Sequence, residues 1–213
     1  MKVRDVMTWN VVTVPSDMPI MEAKKIMDAH HILRLPVVDK GKLVGVITRY
    51  RIDQASPAES TSLSMWEINY FLAKMKVADV MTKDVVTVSP DATVESAVAL
   101  AQARGTGVLP VVENNKLIGI VTTNDFFYRI LNPVLGIGEP GVRLNITGCN
   151  DAKCMSEVLA IVASHEIELI TVHKIRLPEG KEQEFCLHLN TDKTDDLVKD
   201  LEAKRYKVEA RDR

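Results

Sequence analysis

The feature that most constrains this chain is that much of its N-terminal portion is written twice. "VRDVMTWNVVTVPSD" at 3–17 aligns without a gap with "VADVMTKDVVTVSPD" at 77–91, and "LPVVDKGKLVGVIT" at 35–48 aligns with "LPVVENNKLIGIVT" at 109–122. The offset is a constant 74 residues, pairing Met7 with Met81 and Thr13 with Thr87. A fixed offset held across both blocks describes one supersecondary unit built twice. Two such units are expected to pack face to face about a pseudo-twofold axis, which creates two equivalent clefts.

Within each unit the periodicity is readable. "NVVTV" (10–14) and "DVVTV" (84–88) are short β-branched runs that suit buried strands. Apolar residues at Ile20, Ala23, Ile26 and Met27 mark one face of a helix, and Val94, Ala97, Val98 and Ala101 repeat it. "LPVV" and "LVGVIT" then read as two strands joined by turn chemistry, "DKGK" in one copy and "ENNK" in the other. A second helix begins at Thr48 or Thr122, so each unit is strand, helix, strand, strand, helix. Between the copies, Ser56 and Pro57 end a helix, Ser64 and Glu67 have capping-box spacing, and Met65, Ile68, Leu72 and Met75 form an apolar stripe. Trp66, Tyr70 and Phe71 on that helix are expected in a core or interface rather than against nucleic acid.

After Leu131 the composition changes to "NPVLGIGEPG". Gly136, Gly138 and Gly141 spell G-x-G-x-x-G, but the run follows a helix, contains Pro140 and leads into a strand. The dinucleotide fingerprint needs a strand before and a helix after, so this stretch reads as a linker. Beyond it come a strand at 142–148, a helix at 153–164, a strand at 168–177, a turn at 178–183, a strand at 184–190, a helix at 194–204 and a strand at 206–212. Strand, helix, strand, strand, helix, strand is a ferredoxin-like order. The expected class is α+β, in five parts: repeat 1 at 1–58, a connecting helix at 59–76, repeat 2 at 77–133, a linker at 134–141 and a βαββαβ domain at 142–213.

The repeated motifs "DVMT", "VVTV", "LPVVD" and "GVIT" or "GIVTTND" resemble the cystathionine-β-synthase (CBS) domain, here a tandem pair. The connecting helix followed by a segment that looks like an ACT domain resembles, more narrowly, the AcuB-like proteins. The resemblance implies a regulatory adenine nucleotide or related adenosyl ligand, and no required cofactor. CBS sites carry glycine, two apolar residues, threonine, two variable residues and aspartate. Gly119, Thr122 and Asp125 match, with Thr123 and Asn124 between them. By resemblance Asp125 takes the ribose hydroxyls, Thr122 faces phosphate, and the adenine lies against Asp84, Val85, Val86 and Thr87 and against Gly107, Val108, Leu109 and Pro110. A carboxylate can accept both hydroxyl protons of a cis-diol. Threonine at N-cap with an acid at N3 is also a capping box, and the two roles can coexist.

The first copy keeps the frame but has Arg51 where the second has Asp125. Arginine accepts no hydrogen bond, so ribose binding is expected to fail there. Thr48, Arg49, Arg51, Arg34, His31, Asn10 and Val11, with His30 nearby, suggest instead an anion site or a source of charge for the phosphates of a ligand held by the second copy. The competing expectation is that these arginines are solvated helix-face charges or pair with Asp53 and Asp39.

The remaining residues favour binding over catalysis. A chain of 213 residues with 46% apolar and 26% charged content and a net charge of −2 gives no global pull toward nucleic acid or an anionic membrane. No segment reads as a signal peptide or membrane span, so a soluble, cytoplasmic protein is expected. Cys149, Cys154 and Cys186 form no paired framework, and the odd number suits reduced thiols. No metal is expected from His165, His173, Cys186 and His188. In "CNDAKCMSEV", Lys153 or Cys154 stands where ACT domains carry the glycine of their effector loop, so dimerisation through that sheet is expected rather than amino-acid binding. No P-loop, G-x-S-x-G or H-E-x-x-H occurs. The reading is a non-enzymatic homodimer that senses an adenine nucleotide and signals to an unknown protein partner. The alternative is an interaction subunit with vestigial nucleotide sites.

Overall fold

The structure, a computed structural model, describes residues 1–55, 64–175 and 183–211. The break read at Ser56 and Pro57, the turn at 178–183 except Gln183, and the strand ends at Arg176, Leu177 and Asp212 lie outside the described residues. The chain divides into two compact units, Met1–Phe126 and Phe127–Arg213.

In the first unit, one copy runs α1 (Val3–Val6), β1 (Thr8–Trp9), α2 (Ile20–His30), β2 (Arg34–Asp39), β3 (Lys42–Thr48) and α3 (Arg49–Ala55). After α4 (Met65–Lys74), the other runs α5 (Val77–Val80), α6 (Val94–Ala103), β4 (Val108–Glu113), β5 (Lys116–Thr122) and α7 (Thr123–Phe126). The helix–hairpin–helix core of each repeat is as the periodicity indicates. The expected opening strands differ: "NVVTV" and "DVVTV" form only single parallel bridges, Val14 to Val37 and Val88 to Val111. Val14 accepts from the Val38 amide (2.9 Å) and donates to the Pro36 carbonyl (3.2 Å). The next residue, Pro15, has no N–H with which to extend the ladder.

The two copies exchange their first residues. Val3 N donates to Ala92 O (2.9 Å), and its counterpart Val77 N donates to Met18 O (2.8 Å). Thr8 and Trp9 pair antiparallel with Ile120 and Gly119 of β5, and Thr82 bridges Val46 of β3 in the same way. This exchange explains two letters of the repeated motif. A Cβ on Gly119 would stand 2.6 Å from Met7 Sδ, and one on Gly45 2.5 Å from Met81 Sδ. Glycine in each copy is therefore room for the methionine of the other.

One core of this unit joins Val14, Ile20, Ala23, Met27, Leu35, Val37, Ile47 and Ile52 to Leu72 of α4. Ser64 and Glu67 make the reciprocal capping box that starts α4. Ile68 and Met75 pack on the core beside Leu72; the Met65 side chain is outside the described residues. Trp66, Tyr70 and Phe71 are not core. They are 73%, 52% and 56% exposed, with Trp66 stacked on Tyr70 at 5.5 Å and Lys74 Nζ over the Tyr70 ring at 4.4 Å.

The second unit contains a π-helical turn at Phe127–Leu131, then α8 (Asn132–Leu135), β6 (Val142–Thr147), α9 (Ala152–Ser164), β7 (Leu169–Ile175), β8 (Glu184–Leu189), α10 (Asp195–Ala203) and β9 (Lys207–Arg211). Its sheet order is β7-β8-β6-β9, with all neighbours antiparallel. Leu144, Ile146, Phe185, Leu187 and Leu189 on one face meet Val158, Val162, Leu197 and Leu201 from the helices. Alternation puts Arg143, Asn145, His173, Cys186 and His188 on the other face. The stretch read as a linker begins inside α8. Gly136 ends that helix in the left-handed region, φ +60, and a Cβ on Gly141 would run into the Leu189 carbonyl. These glycines serve close packing within the second unit.

The reading of all three cysteines as reduced thiols is corrected: Cys149 and Cys154 form a disulfide, and Cys186 is free and buried. Gly148, at φ +88, turns the chain off β6. Asp151 caps α9 by accepting from Cys154 N (2.8 Å). The turn and cap leave the two Cα atoms 5.4 Å apart, within disulfide range. Among the described residues no group of three His, Cys, Asp or Glu could hold a metal, and His165 instead faces Asp200 at 2.9 Å. No helix among them is long and apolar enough to cross a membrane.

Candidate functional site

The start of α7 follows from local chemistry. Thr122 ends β5, and both its N–H and its hydroxyl donate to Asp125 Oδ2, at 2.8 and 2.7 Å. The carboxylate half of the capping box expected from "TTND" is thus built, and it fixes the carboxylate beside the threonine. In the first copy Thr48 Oγ1 accepts from Arg51 N (3.2 Å), but arginine cannot return the bond.

Because β1 lies on β5, the segment after Met7 runs past Thr122 rather than past its own copy's Thr48. The result is a cleft of about 360 Å³ with walls from both copies. Ile120, Thr122, Asn124 and Asp125 come from the second; Thr8, Asn10, Val11, Val12 and the run His30–Arg34 come from the first. The cleft pairs one carboxylate with a facing wall that holds Arg34, His30 and His31. Asn10 and His31 both have positive φ, 52° and 53°; the strained turn at His31 ends α2 and starts the run into β2.

The expected residues are thereby redistributed. Thr122, Asn124 and Asp125 line the cleft, and Thr123 stands beside it with its N–H donating to Gly107 O (3.2 Å). Asp84, Val85, Val86 and Thr87 are not in its lining. Val85 and Thr87 lie in a separate groove with Lys42, Val44 and Lys83. They sit there because Thr82 bridges β3, so this segment follows the first copy's hairpin. Leu109 and Pro110 are buried and Val108 partly buried in β4.

The residues grouped as an anion site also separate. Asn10, Val11, His31 and Arg34 belong to the cleft of Asp125. Arg49 does not: it donates to Asp28 and lies 3.4 Å from Asp53, and the hydrogen bond it donates to Asp28 leads the effects that raise its pKa above the ordinary arginine value. Of the two expected acidic partners, Asp53 is thus near Arg49, whereas Asp39 accepts from Ser16 N (2.9 Å). Arg51 lines a third groove with Gln54, Met75, Asp79 and Met81. The residues missed by the sequence reading are Thr8, Val12, Ile32, Leu33 and Ile120. The only signal for them was the cross-copy pairing of methionine and glycine.

A CBS-domain family model matches residues 3–57 and 77–132. Inosine-5'-monophosphate dehydrogenase from Korarchaeum cryptofilum is 37% identical over 133 residues, 62% of this chain. The matched part is 25% of that enzyme, and 34% of the corresponding enzyme of Methanocaldococcus jannaschii. Among solved structures, AcuB from Vibrio cholerae is 31% identical with TM-score 0.53, covering 65% of this chain and 96% of its own. CBSX2, solved in complex with AMP, is 27% identical with TM-score 0.52, covering 62% of this chain and 97% of its own. The chain belongs to the CBS-domain family, as a tandem pair whose two copies exchange their first residues.

Proposed function

We propose that the protein is a regulatory module that binds an adenine nucleotide, or a related adenosyl ligand, in the cleft between its CBS copies. The observation that carries this reading is the cleft itself. Its volume of about 360 Å³ is within the range of small-molecule sites, and it sets Thr122 and Asp125 of one copy opposite Asn10, Val11, His31 and Arg34 of the other. Asp125 takes the ribose hydroxyls; the apolar Val11, Val12 and Ile32 flank the base. That CBSX2 binds AMP supports the ligand class.

A ligand that touches both copies favours the state in which they close on it, and this differential affinity is what regulation requires. The second unit, read as ACT-like from its βαββαβ order, would carry the output in a cytoplasmic homodimer or to a protein partner. Neither nucleic acid nor membrane enters this reading, and no catalysis is assigned. The enzymes it resembles match over only a fraction of their length.

Calorimetric titration of nucleotide-stripped full-length protein with AMP, ADP, ATP and S-adenosylmethionine tests the reading; one saturable site per chain is expected. One observation favours a second reading, an interaction subunit: the exposed Trp66, Tyr70 and Phe71 of α4. Silence toward all four ligands would shift weight to it.

A further inference from the structure

We infer that the groove beside Trp9 is a second small-molecule site, built for a flat aromatic ring that carries a carboxylate.

The groove is a gap in a ladder. Thr8 and Trp9 pair with Ile120 and Gly119 of β5, and continuing that register would set Asn10 opposite Ile118 and Val11 opposite Leu117. The chain turns away instead at Asn10, whose φ is +52, and next bridges β2 through Val14 and Val37. Between the departing segment and the first residues of β5 lies a groove of about 570 Å³, within the range of small-molecule sites. The backbone of Val11, Val12 and Thr13 makes no hydrogen bond among the described residues, which leaves its donors and acceptors to water or a ligand.

The two copies give this groove different chemistry. Its counterpart at the offset of 74 is the groove of Val85 and Thr87, of about 330 Å³. Val11, Thr13 and Val38 are matched there by Val85, Thr87 and Val112, and Lys116 by Lys42. Trp9 and Gly41 are not matched: Lys83 and Asn115 stand in their places. Trp9 is 53% exposed, and nothing lies within 4 Å of where a Cβ on Gly41 would be. An indole beside open space, with Val11, Val38 and Leu117 as apolar walls, suits a flat ring. Lys116 supplies the charge. It makes no ion pair among the described residues, and no Asp or Glu lines the groove, so a carboxylate on the ring gains a cationic partner. The groove shares Asn10 and Val11 with the cleft of Asp125 but none of Thr122, Asp125 and Arg34; the inference therefore stands apart from the adenosyl reading.

The test is an NMR titration of the isotope-labelled full-length protein with 2-naphthoate. Saturable shifts are expected at the Trp9 indole N–H and at the amides of Val11, Thr13 and Lys116, with a Kd of about 1 mM or tighter for a ligand of this size. The Trp66 indole should not move. Trp9→Lys combined with Gly41→Asn installs the residues that the counterpart groove carries, its Asn115 also at positive φ, and should weaken binding at least about tenfold. Lys116→Gln should weaken 2-naphthoate about two- to fivefold and leave the neutral 2-naphthalenemethanol unchanged; circular dichroism checks folding of both variants. Shifts that do not saturate, shifts confined to residues outside the groove, or undiminished affinity in the folded double variant overturn the site. An equal loss for the neutral analogue in Lys116→Gln overturns the carboxylate assignment.

Discussion

Replacing Asp125 with alanine separates the two roles that one carboxylate holds. In the free protein Oδ2 accepts from Thr122 N and Oγ1, so the variant loses a capping interaction of about 1 kcal/mol. For a unit of this size that lowers the melting temperature by roughly 3–5 °C. In the complex it also loses hydrogen bonds from the ribose hydroxyls to a charged group, about 1.5–3 kcal/mol each, so affinity falls at least about tenfold. With AMP at about one hundred times the wild-type Kd, ligand stabilisation should then drop from roughly 2.7 to at most about 1.4 kcal/mol. Thermal shift with and without AMP reads both effects. A lower melting temperature with an undiminished AMP-induced shift would refute the ligand role and leave Asp125 as a helix cap.

Three further outcomes test the fold. Gly119→Ala puts a Cβ 2.6 Å from Met7 Sδ and 3.1 Å from the Thr8 carbonyl; overpacking of this kind should cost about 1–3 kcal/mol in urea unfolding, and a neutral result would contradict the exchanged pairing. Reducing Cys149–Cys154, which are five residues apart, should cost roughly 2 kcal/mol from loop entropy, read as a lower melting temperature of the second unit in dithiothreitol. Burial, and then the charge of Arg143, push the His173 imidazole below its ordinary value of 6.5. The unfolded chain therefore takes up that proton first, and this contribution to stability is complete above about pH 6.5 and is lost as pH falls below it. Melting temperatures between pH 8 and 5 should show a slope that weakens in His173→Gln.

Much of the architecture was legible because it is local. Hairpins, α2, α6 and the helices of the second unit follow from apolar spacing. The Thr122–Asp125 frame follows from a three-residue spacing that any capped helix would share. What was not legible depends on contacts between distant segments. "NVVTV" reads as a strand by composition, yet it bridges at one residue because Pro15 follows and because the preceding Thr8 and Trp9 are committed to the other copy. That crossing also decides the site. A frame repeated in register suggests that each threonine is served by its own copy's "VVTV" segment, whereas the pairing of β1 with β5 delivers Asn10 and Val11 to the cleft of Thr122, which Arg34 at the start of β2 also lines. The disulfide was missed for a similar reason. Spacing alone does not show that Gly148 and the Asp151 cap bring Cys149 and Cys154 together.

The most direct measurement is a crystal structure of the full-length protein grown with AMP. The account predicts one AMP per chain, with the ribose hydroxyls on Asp125, the base against Val11 and Ile32, and the phosphate within hydrogen-bond distance of Arg34. An AMP seated instead against Thr48 and the 84–87 segment would contradict it.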